Sequence, residues 1–415
     1  TALLTRGLRR LGANVQPFLP DRQKDGYGVA DRLVDHAADR GVSVLITVDT
    51  GSTASEQLAR AAAAIDVIVC DHHRFSQRPE GVGWFLNPLR EDSGYPHSTL
   101  CGAGVAQKLL CAIHRLRGMD DQPGLDLAAI ATVADQVPLQ RENRAIVAMG
   151  LDLLSTTPDA GLRALLNVCR IDSQRLDATD IGFQIAPRIN AAGRIGSART
   201  ALELILATGP AEAHKLAAEL DRLNTERKSL DEAVTGDAIT RAAKLVEEYD
   251  PAALVLWSEE WHRGVVGISA AKVAAEFGRP AILFACEGEV AVGSARSVPG
   301  LDLKAALDAC APLLQRYGGH AAAAGATVDV ERLPALREGF AGAVSKAHRD
   351  DIPATHYVDA VLQPGELDPR LAQFLYALGP FGNGNPAPRF ATRSASQSVA
   401  PRLIKDRHVR LGLSL

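Results

Sequence analysis

Five side chains carry the chemistry this sequence offers: Asp49, Asp71, His72, His73 and Asp135. Three are consecutive in "DVIVCDHHRF", residues 66–75, directly after a β-branched apolar run. Asp49 closes the run in "VSVLITVDTGS", and Asp135 lies near the end of "LDLAAIATVADQVPL". Carboxylates and neutral imidazoles together form a mixed oxygen and nitrogen donor set, which suits Mn²⁺ better than the all-oxygen sites typical of Ca²⁺ or Mg²⁺. A carboxylate bridging two such ions would hold them about 3.5–4 Å apart, where an activated water can attack phosphorus in line while the metals neutralise developing charge. The chemistry implied is hydrolysis of a phosphodiester or phosphoanhydride. Asp-His-His alone reads equally well as a polar turn, since Asp is a common turn and cap residue, so its meaning depends on the elements that hold it.

Those elements have the rhythm of βαβ units. "VSVLITVDTGS" predicts a strand ending at Asp49, "SEQLARAAAA" a helix and "IDVIVCDHH" the next strand, a pattern that builds parallel sheets. Ligands collect at the carboxyl ends of such strands, and Asp49 and Asp71-His72-His73 occupy that edge in consecutive units. We expect residues 1–207 to form an α/β lobe with strands and helices alternating along it, including a glycine turn into a helix at "LCGAGVAQKLLCAIHRL". Residues 208–250 predict one charged, nearly continuous connecting helix. Residues 251–350 predict a smaller α/β lobe: strand "AALVLW", helix "VVGISAAKVAAEF", strands "AILFAC" and "AVGSAR", then helix "DLKAALDAC". From 351 to 415, Pro- and Gly-rich connections between strand-like pieces such as "THYVDAVL" predict the opening of a small β domain.

The chain has 415 residues, too many for one compact core, and its 47% hydrophobic and 23% charged content is that of an ordinary globular protein. No apolar run approaches the roughly 20 residues of a membrane helix. Six scattered cysteines without a Cys-x-x-Cys pair argue against a zinc ribbon or disulfide framework and suit a reducing compartment, so a cytoplasmic location is expected. A formal net charge of -4 excludes the global basic field of a non-specific nucleic-acid binder. Phosphate must be held locally, and arginine, which outnumbers lysine here, grips phosphate oxygens in a bidentate fork. "APRINAAGRIGSARTALEL" offers Arg188, Asn190 and Arg194 around a glycine-containing turn, and "PDRQKDGYG" offers Arg22 beside another. "VGSARS" sets Ser294 and Arg296 on one face of a strand, since residues two apart share a side. "RYGGHAAAAG" places His320 after Gly318 and Gly319, which let backbone N–H groups approach an anion or serve to cap a helix.

Asp71-His72-His73, preceded by "VDTG" and followed by "CGAGVA", "TVADQVPL" and "PRINAAGR", resembles the DHH phosphoesterase superfamily. The additional "WHRGVVGI", "GSARS", "YGGHAAAAG" and "PFGNGNPAPRF" resemble its bacterial branch that degrades single-stranded DNA from the 5′ end, in the right order over essentially the whole chain. The resemblance implies a DHH lobe, a helical connector, a DHHA1 lobe and a partial OB-fold, with two Mn²⁺ or Mg²⁺ ions per site. It implies that Asp49 bridges both ions, that His72 and Asp135 bind the second, that His73 contacts the scissile phosphate and that Asp71 orients the neighbouring imidazoles. Arg188, Asn190 and Arg194 would line the phosphate track. Arg22, Ser294 and Arg296 would recognise a 5′ phosphate, and Gly318, Gly319 and His320 would face the reacting nucleotide. Trp261-His262-Arg263 matches the family without a chemical role.

The same resemblance implies single-stranded DNA as partner, a single-stranded-DNA-binding protein and a helicase as further partners, a monomeric chain and no membrane. The family's first Asp-x-Asp-Gly motif belongs before "TALL", so the sequence as given is expected to bind metal poorly and cleave slowly or not at all. Two alternatives stand beside the exonuclease: a hydrolase of short oligonucleotides or nucleotide bisphosphates, and a non-catalytic single-strand-binding relative.

Overall fold

The computed structural model describes residues 1–20, 28–347, 357–393, 396–404 and 408–414. Contacts divide them into two compact units. The first comprises residues 1–190, 198–219 and 355–415, and the second residues 191–197 and 220–354.

The first unit opens with helix α1 (Ala2–Arg10) and α2 (Asp31–Asp39), followed by strands β1 (Val44–Val48), β2 (Asp66–Cys70) and β3 (Trp84–Leu86), with α3 (Ser55–Ala62) crossing between β1 and β2. The three strands form a parallel sheet in the order β1-β2-β3, with Val48 opposite Cys70 and Cys70 opposite Leu86. β-Branched residues fill β1 and β2 because their side chains pack well on a pleated surface. Leu45, Val67, Val69 and Phe85 close with Leu58 of α3 into a core. The ladder extends one residue past each strand: Asp49 N donates to Cys70 O at 2.9 Å, and Asp71 N to Leu86 O at 3.0 Å. Two carboxylates are thereby fixed side by side at the sheet's carboxyl edge.

The expected alternation of strands and helices through residue 207 stops at β3. Residues 102–206 contain helices and no strand: α4 (Gly102–Leu116), α5 (Leu125–Ala134), α6 (Arg141–Ser155), α7 (Ala160–Cys169), the short α8 (Ala178–Asp180), a π-helical turn (Ile181–Ile185), α9 (Ala186–Ile195) and α10 (Ala198–Leu206). The apolar run before Asp135 is α5, whose Leu125–Ile130 stretch is buried on all sides. Its Ala- and Leu-rich composition favours helix, and its one buried charge, Asp126, is paired with Arg6 of α1.

The expected connecting helix is α11 (Pro210–Tyr249), 40 residues long, and the boundary between the units falls within it at 219/220. The second unit adds β4 (Leu254–Ser258), α12 (Val266–Phe277), β5 (Ala281–Glu287), β6 (Val290–Arg296), α13 (Leu303–Asp308), β7 (Arg316–Gly319), β8 (Ala323–Asp329) and α14 (Leu333–Lys346). Its sheet runs β4-β5-β6-β8-β7, with only the β4–β5 pair parallel. β5 is apolar on both faces. Ile282 and Phe284 pack with α13 and α14, while Leu283 and Ala285 pack with α12 and with Val234, Ala238 and Ala242 of α11.

The C-terminal segment returns to the first unit with a short parallel pair, β9 (Ala360–Val361) and β10 (Phe390–Ala391), helix α15 (Pro369–Ala377) and an antiparallel hairpin of β11 (Ser396–Ile404) and β12 (His408–Ser414).

Candidate metal and phosphate site

Asp71 is the hub of the site. It is buried beneath the sheet edge, and both carboxylate oxygens are engaged. Oδ2 accepts from Ser52 N at 2.9 Å, while Oδ1 accepts from His72 N at 2.8 Å and pairs with His73 Nδ1 at 2.8 Å. Burial alone would raise its pKa, but the hydrogen bonds from His73, Ser52 and His72 outweigh it and hold the carboxyl well below the usual range. Asp71 therefore stays ionised and fixes the His73 ring. Asn87, buried just past β3, ties the turns together: its Nδ2 donates to Ser52 Oγ at 3.0 Å and to His73 O at 2.9 Å. Beside Asp71, burial pushes the Cys70 thiol up to about 12, and all six cysteines are buried and free of disulfides.

His72 points the other way, toward Asp49 and Asp135. Its Nε2 lies 3.1 Å from Asp49 Oδ1 and 3.5 Å from Asp135 Oδ2, yet it is buried without a hydrogen-bond partner of good geometry. Burial disfavours the charged ring, but Asp49 and Asp135 outweigh it and raise the pKa. Asp135 caps the C-terminus of α5, and burial raises its pKa although His72 opposes the shift. Asp49 sits at φ 61°, a conformation that costs a residue with a side chain about 1–3 kcal/mol. The backbone there needs Gly102 at the start of α4: a Cβ on it would lie 2.4 Å from Asp49 Oδ1 and 2.7 Å from Asp49 Cα.

Ligand atoms of Asp49, Asp71, His72 and His73 all lie within 4.8 Å of one another. An orphaned imidazole nitrogen facing two carboxylates fits a divalent cation, because a metal satisfies the nitrogen and relieves the repulsion between the carboxylates at once. Asp71 holds the ring of His73 through Oδ1. His73 is half-exposed, and its pKa is raised chiefly by the Asp71 hydrogen bond.

The remaining residues fall elsewhere. Arg188, Asn190 and Arg194 all lie within α9, not around a glycine turn. The Ala-rich segment simply continues the helix through Gly193, and the turn comes at Gly196-Ser197. Arg188 Nη1 donates to Gln184 O in the π-helical turn at 2.9 Å, and Asn190 is exposed. Arg194 belongs to the second unit, where its Nη1 donates to Gly264 O at 3.3 Å. That unit also holds Ser294 and Arg296, on one face of β6 beside the first turn of α12. A Cβ on Gly267 would lie 3.0 Å from Ser294 Oγ and 3.2 Å from Arg296 Nη2. Gly318 and Gly319 end β7 and His320 stands exposed in the turn to β8, so the glycines shape a hairpin rather than cap a helix. The register lines Ser294, Gly325 and Gly318 across three adjacent strands. Arg22 lies outside the described residues.

Sequence reasoning gave no role to Ser52 or Asn87. Asn87 had a signal, a polar residue directly past a strand at the same carboxyl edge. Trp261 donates from Nε1 to Asp237 Oδ2 at 2.8 Å, and His262 Nδ1 accepts from Gly264 N at 3.0 Å, so part of that motif shapes its own loop.

Residues 1–133 match the DHH family, N-terminal domain, residues 250–346 the DHHA1 domain, and residues 358–415 the RecJ OB domain. The chain is 34% identical over 434 residues to the single-stranded-DNA-specific exonuclease RecJ of Escherichia coli, covering 99% of this chain and 75% of that one. It is 37% identical over 401 residues to the Bacillus subtilis protein of the same name, covering 95% of this chain but only 50% of that one, so it spans half of that relative's length. The crystal structure of RecJ in complex with Mn²⁺ from Thermus thermophilus superposes with a TM-score of 0.85 at 33% identity, over 99% of this chain and 59% of that one.

Proposed function

The chain belongs to the RecJ family of single-stranded-DNA-specific exonucleases, and on that premise we propose that it hydrolyses single-stranded DNA from the 5′ end and releases 5′ mononucleotides. The observation that carries the reading is the approach of His72 Nε2, without a hydrogen bond, to both Asp49 and Asp135. Asp49, His72 and Asp135 are the residues that would hold Mn²⁺ or Mg²⁺. Bound divalent ions supply a nucleophile at neutral pH and neutralise charge on the phosphoryl oxygens.

The chain's own groups do the rest. Asp71 fixes His73 through Nδ1, which leaves Nε2 to donate to a phosphoryl oxygen, and the raised pKa of His73 favours the charged donor. Arg188, Asn190 and Arg194 supply side chains for successive phosphates. Ser294 and Arg296, at the N-terminal turn of α12, suit a terminal phosphate, with Arg22 as a further contact. Gly318, Gly319 and His320 offer backbone N–H groups and an imidazole to the terminal nucleotide. An enzyme of this kind needs its substrate unwound, so a helicase and a single-stranded-DNA-binding protein are the protein partners that fit, in the cytoplasm where DNA is repaired and recombined.

A panel of substrates tests the reading. With Mn²⁺ and the full natural chain, a long 5′-phosphorylated single strand is degraded to mononucleotides, the same strand with a 5′ hydroxyl more slowly, and its blunt duplex hardly at all. A dinucleotide turned over faster than the long strand would instead favour a hydrolase of very short oligonucleotides.

A further inference from the structure

The motif "PFGNGNP" (380–386) lies far from Asp135 in sequence, yet it grips the residues that directly follow that carboxylate. The Asn383 side-chain amide donates to Gln136 O, and its backbone carbonyl accepts from Leu139 N at 2.7 Å. Gly384 O accepts from Gln140 Nε2 at 2.7 Å, and one helical turn later Arg144 Nη2 donates to Leu378 O at 2.6 Å. The turn is closed on itself by Gly382 N to Asn385 O at 2.9 Å and by Asn385 Nδ2 to Pro380 O at 2.9 Å.

Its glycines pack closely on the gripped segment. A Cβ on Gly382 would lie 2.7 Å from Leu139 Cδ1, and one on Gly384, at φ 68°, would lie 2.9 Å from Pro138 Cβ. The gripped segment is itself unusual: Gln136 adopts φ 55°, and the next residues must leave α5 at once so that Leu139 can enter the core with Ala129 and Val147. A non-glycine residue at positive φ persists only where its surroundings enforce it, and Asn383 supplies that enforcement at the residue next to Asp135.

We propose that the FGNGNP turn is a positioning element for the metal-holding carboxylate: Asn383 locks the backbone after Asp135 and so sets where its oxygens meet His72. The inference rests on the reading of Asp135 as a metal ligand. Groups that orient a ligand in this way typically change metal affinity by about 10–100-fold when removed.

The test is Mn²⁺ binding to the full natural chain, followed by electron paramagnetic resonance of free Mn²⁺, alongside thermal melting. Asn383→Ala and the near-isosteric Asn383→Asp, which cannot donate to Gln136 O, bind Mn²⁺ at least about tenfold more weakly. Val344→Ala, a core truncation in the second unit, lowers the melting temperature and leaves Mn²⁺ affinity unchanged, which separates positioning from general destabilisation. Wild-type Mn²⁺ affinity in either Asn383 variant overturns the proposal. Asp135→Asn divides the causes. If it weakens binding while the Asn383 variants do not, the clamp alone is wrong; if it binds Mn²⁺ as tightly as wild type, the ligand reading fails and the clamp falls with it.

Discussion

Asp71 and His72 are neighbours in sequence with opposite duties. Asp71 accepts from three backbone N–H groups and a ring nitrogen inside the protein, while His72 turns its buried nitrogen, without a hydrogen bond, toward two carboxylates. Asp71→Asn keeps the shape but leaves one amide oxygen where two carboxylate oxygens accepted, so it should destabilise by about 1–3 kcal/mol. The sign with pH follows from the depressed folded pKa. The carboxylate's contribution is complete above the ordinary Asp value, about 3.9, and is lost as pH falls through the lower folded value. Melting curves of wild type and Asp71→Asn should therefore stay apart at neutral pH and converge only in acid. A gap independent of pH would show that Asp71 does not act through its charge.

Among the elements, the sheet edge was legible and the helices behind it were not. The β-branched runs of β1 and β2 end at Asp49 and Asp71, so those carboxylates could be placed from the pattern alone. Asp135 could be singled out but not placed: it caps a helix, and only the packing of α5 brings it to His72. Periodicity was equally silent about α9, where three polar residues expected around a turn lie within a helix. Gly102 shows how tightly these elements meet. At an open helix start Ala would be favoured over Gly by up to about 1 kcal/mol, but here the added Cβ would collide with the backbone of Asp49. Such overpacking costs about 1–3 kcal/mol, so the clash should win. Gly102→Ala is expected to lower both thermal stability and Mn²⁺ affinity; a stabilised protein with intact metal binding would show that Asp49 can move without consequence.

For the whole molecule, three domain matches follow in order, and a net charge of -4 gives no general basic field, so the DNA contacts proposed above must be local. Among the described residues no helix is long and apolar enough to cross a membrane. The order of domains was readable because each carries its own short motif. The return of residues 355–415 to the first unit was not, since contacts such as Asn383 with Gln136 join positions that no spacing relates. The central claim is that Asp49, His72 and Asp135 hold the metal that cuts DNA, and it separates catalysis from binding. The most direct measurement is Mn²⁺-dependent nucleotide release from a 5′-phosphorylated single strand by the full natural chain, as wild type and as His72→Ala, with DNA affinity determined in parallel. Release at background with DNA affinity near wild type is the predicted result; release at the wild-type rate by His72→Ala would contradict the account.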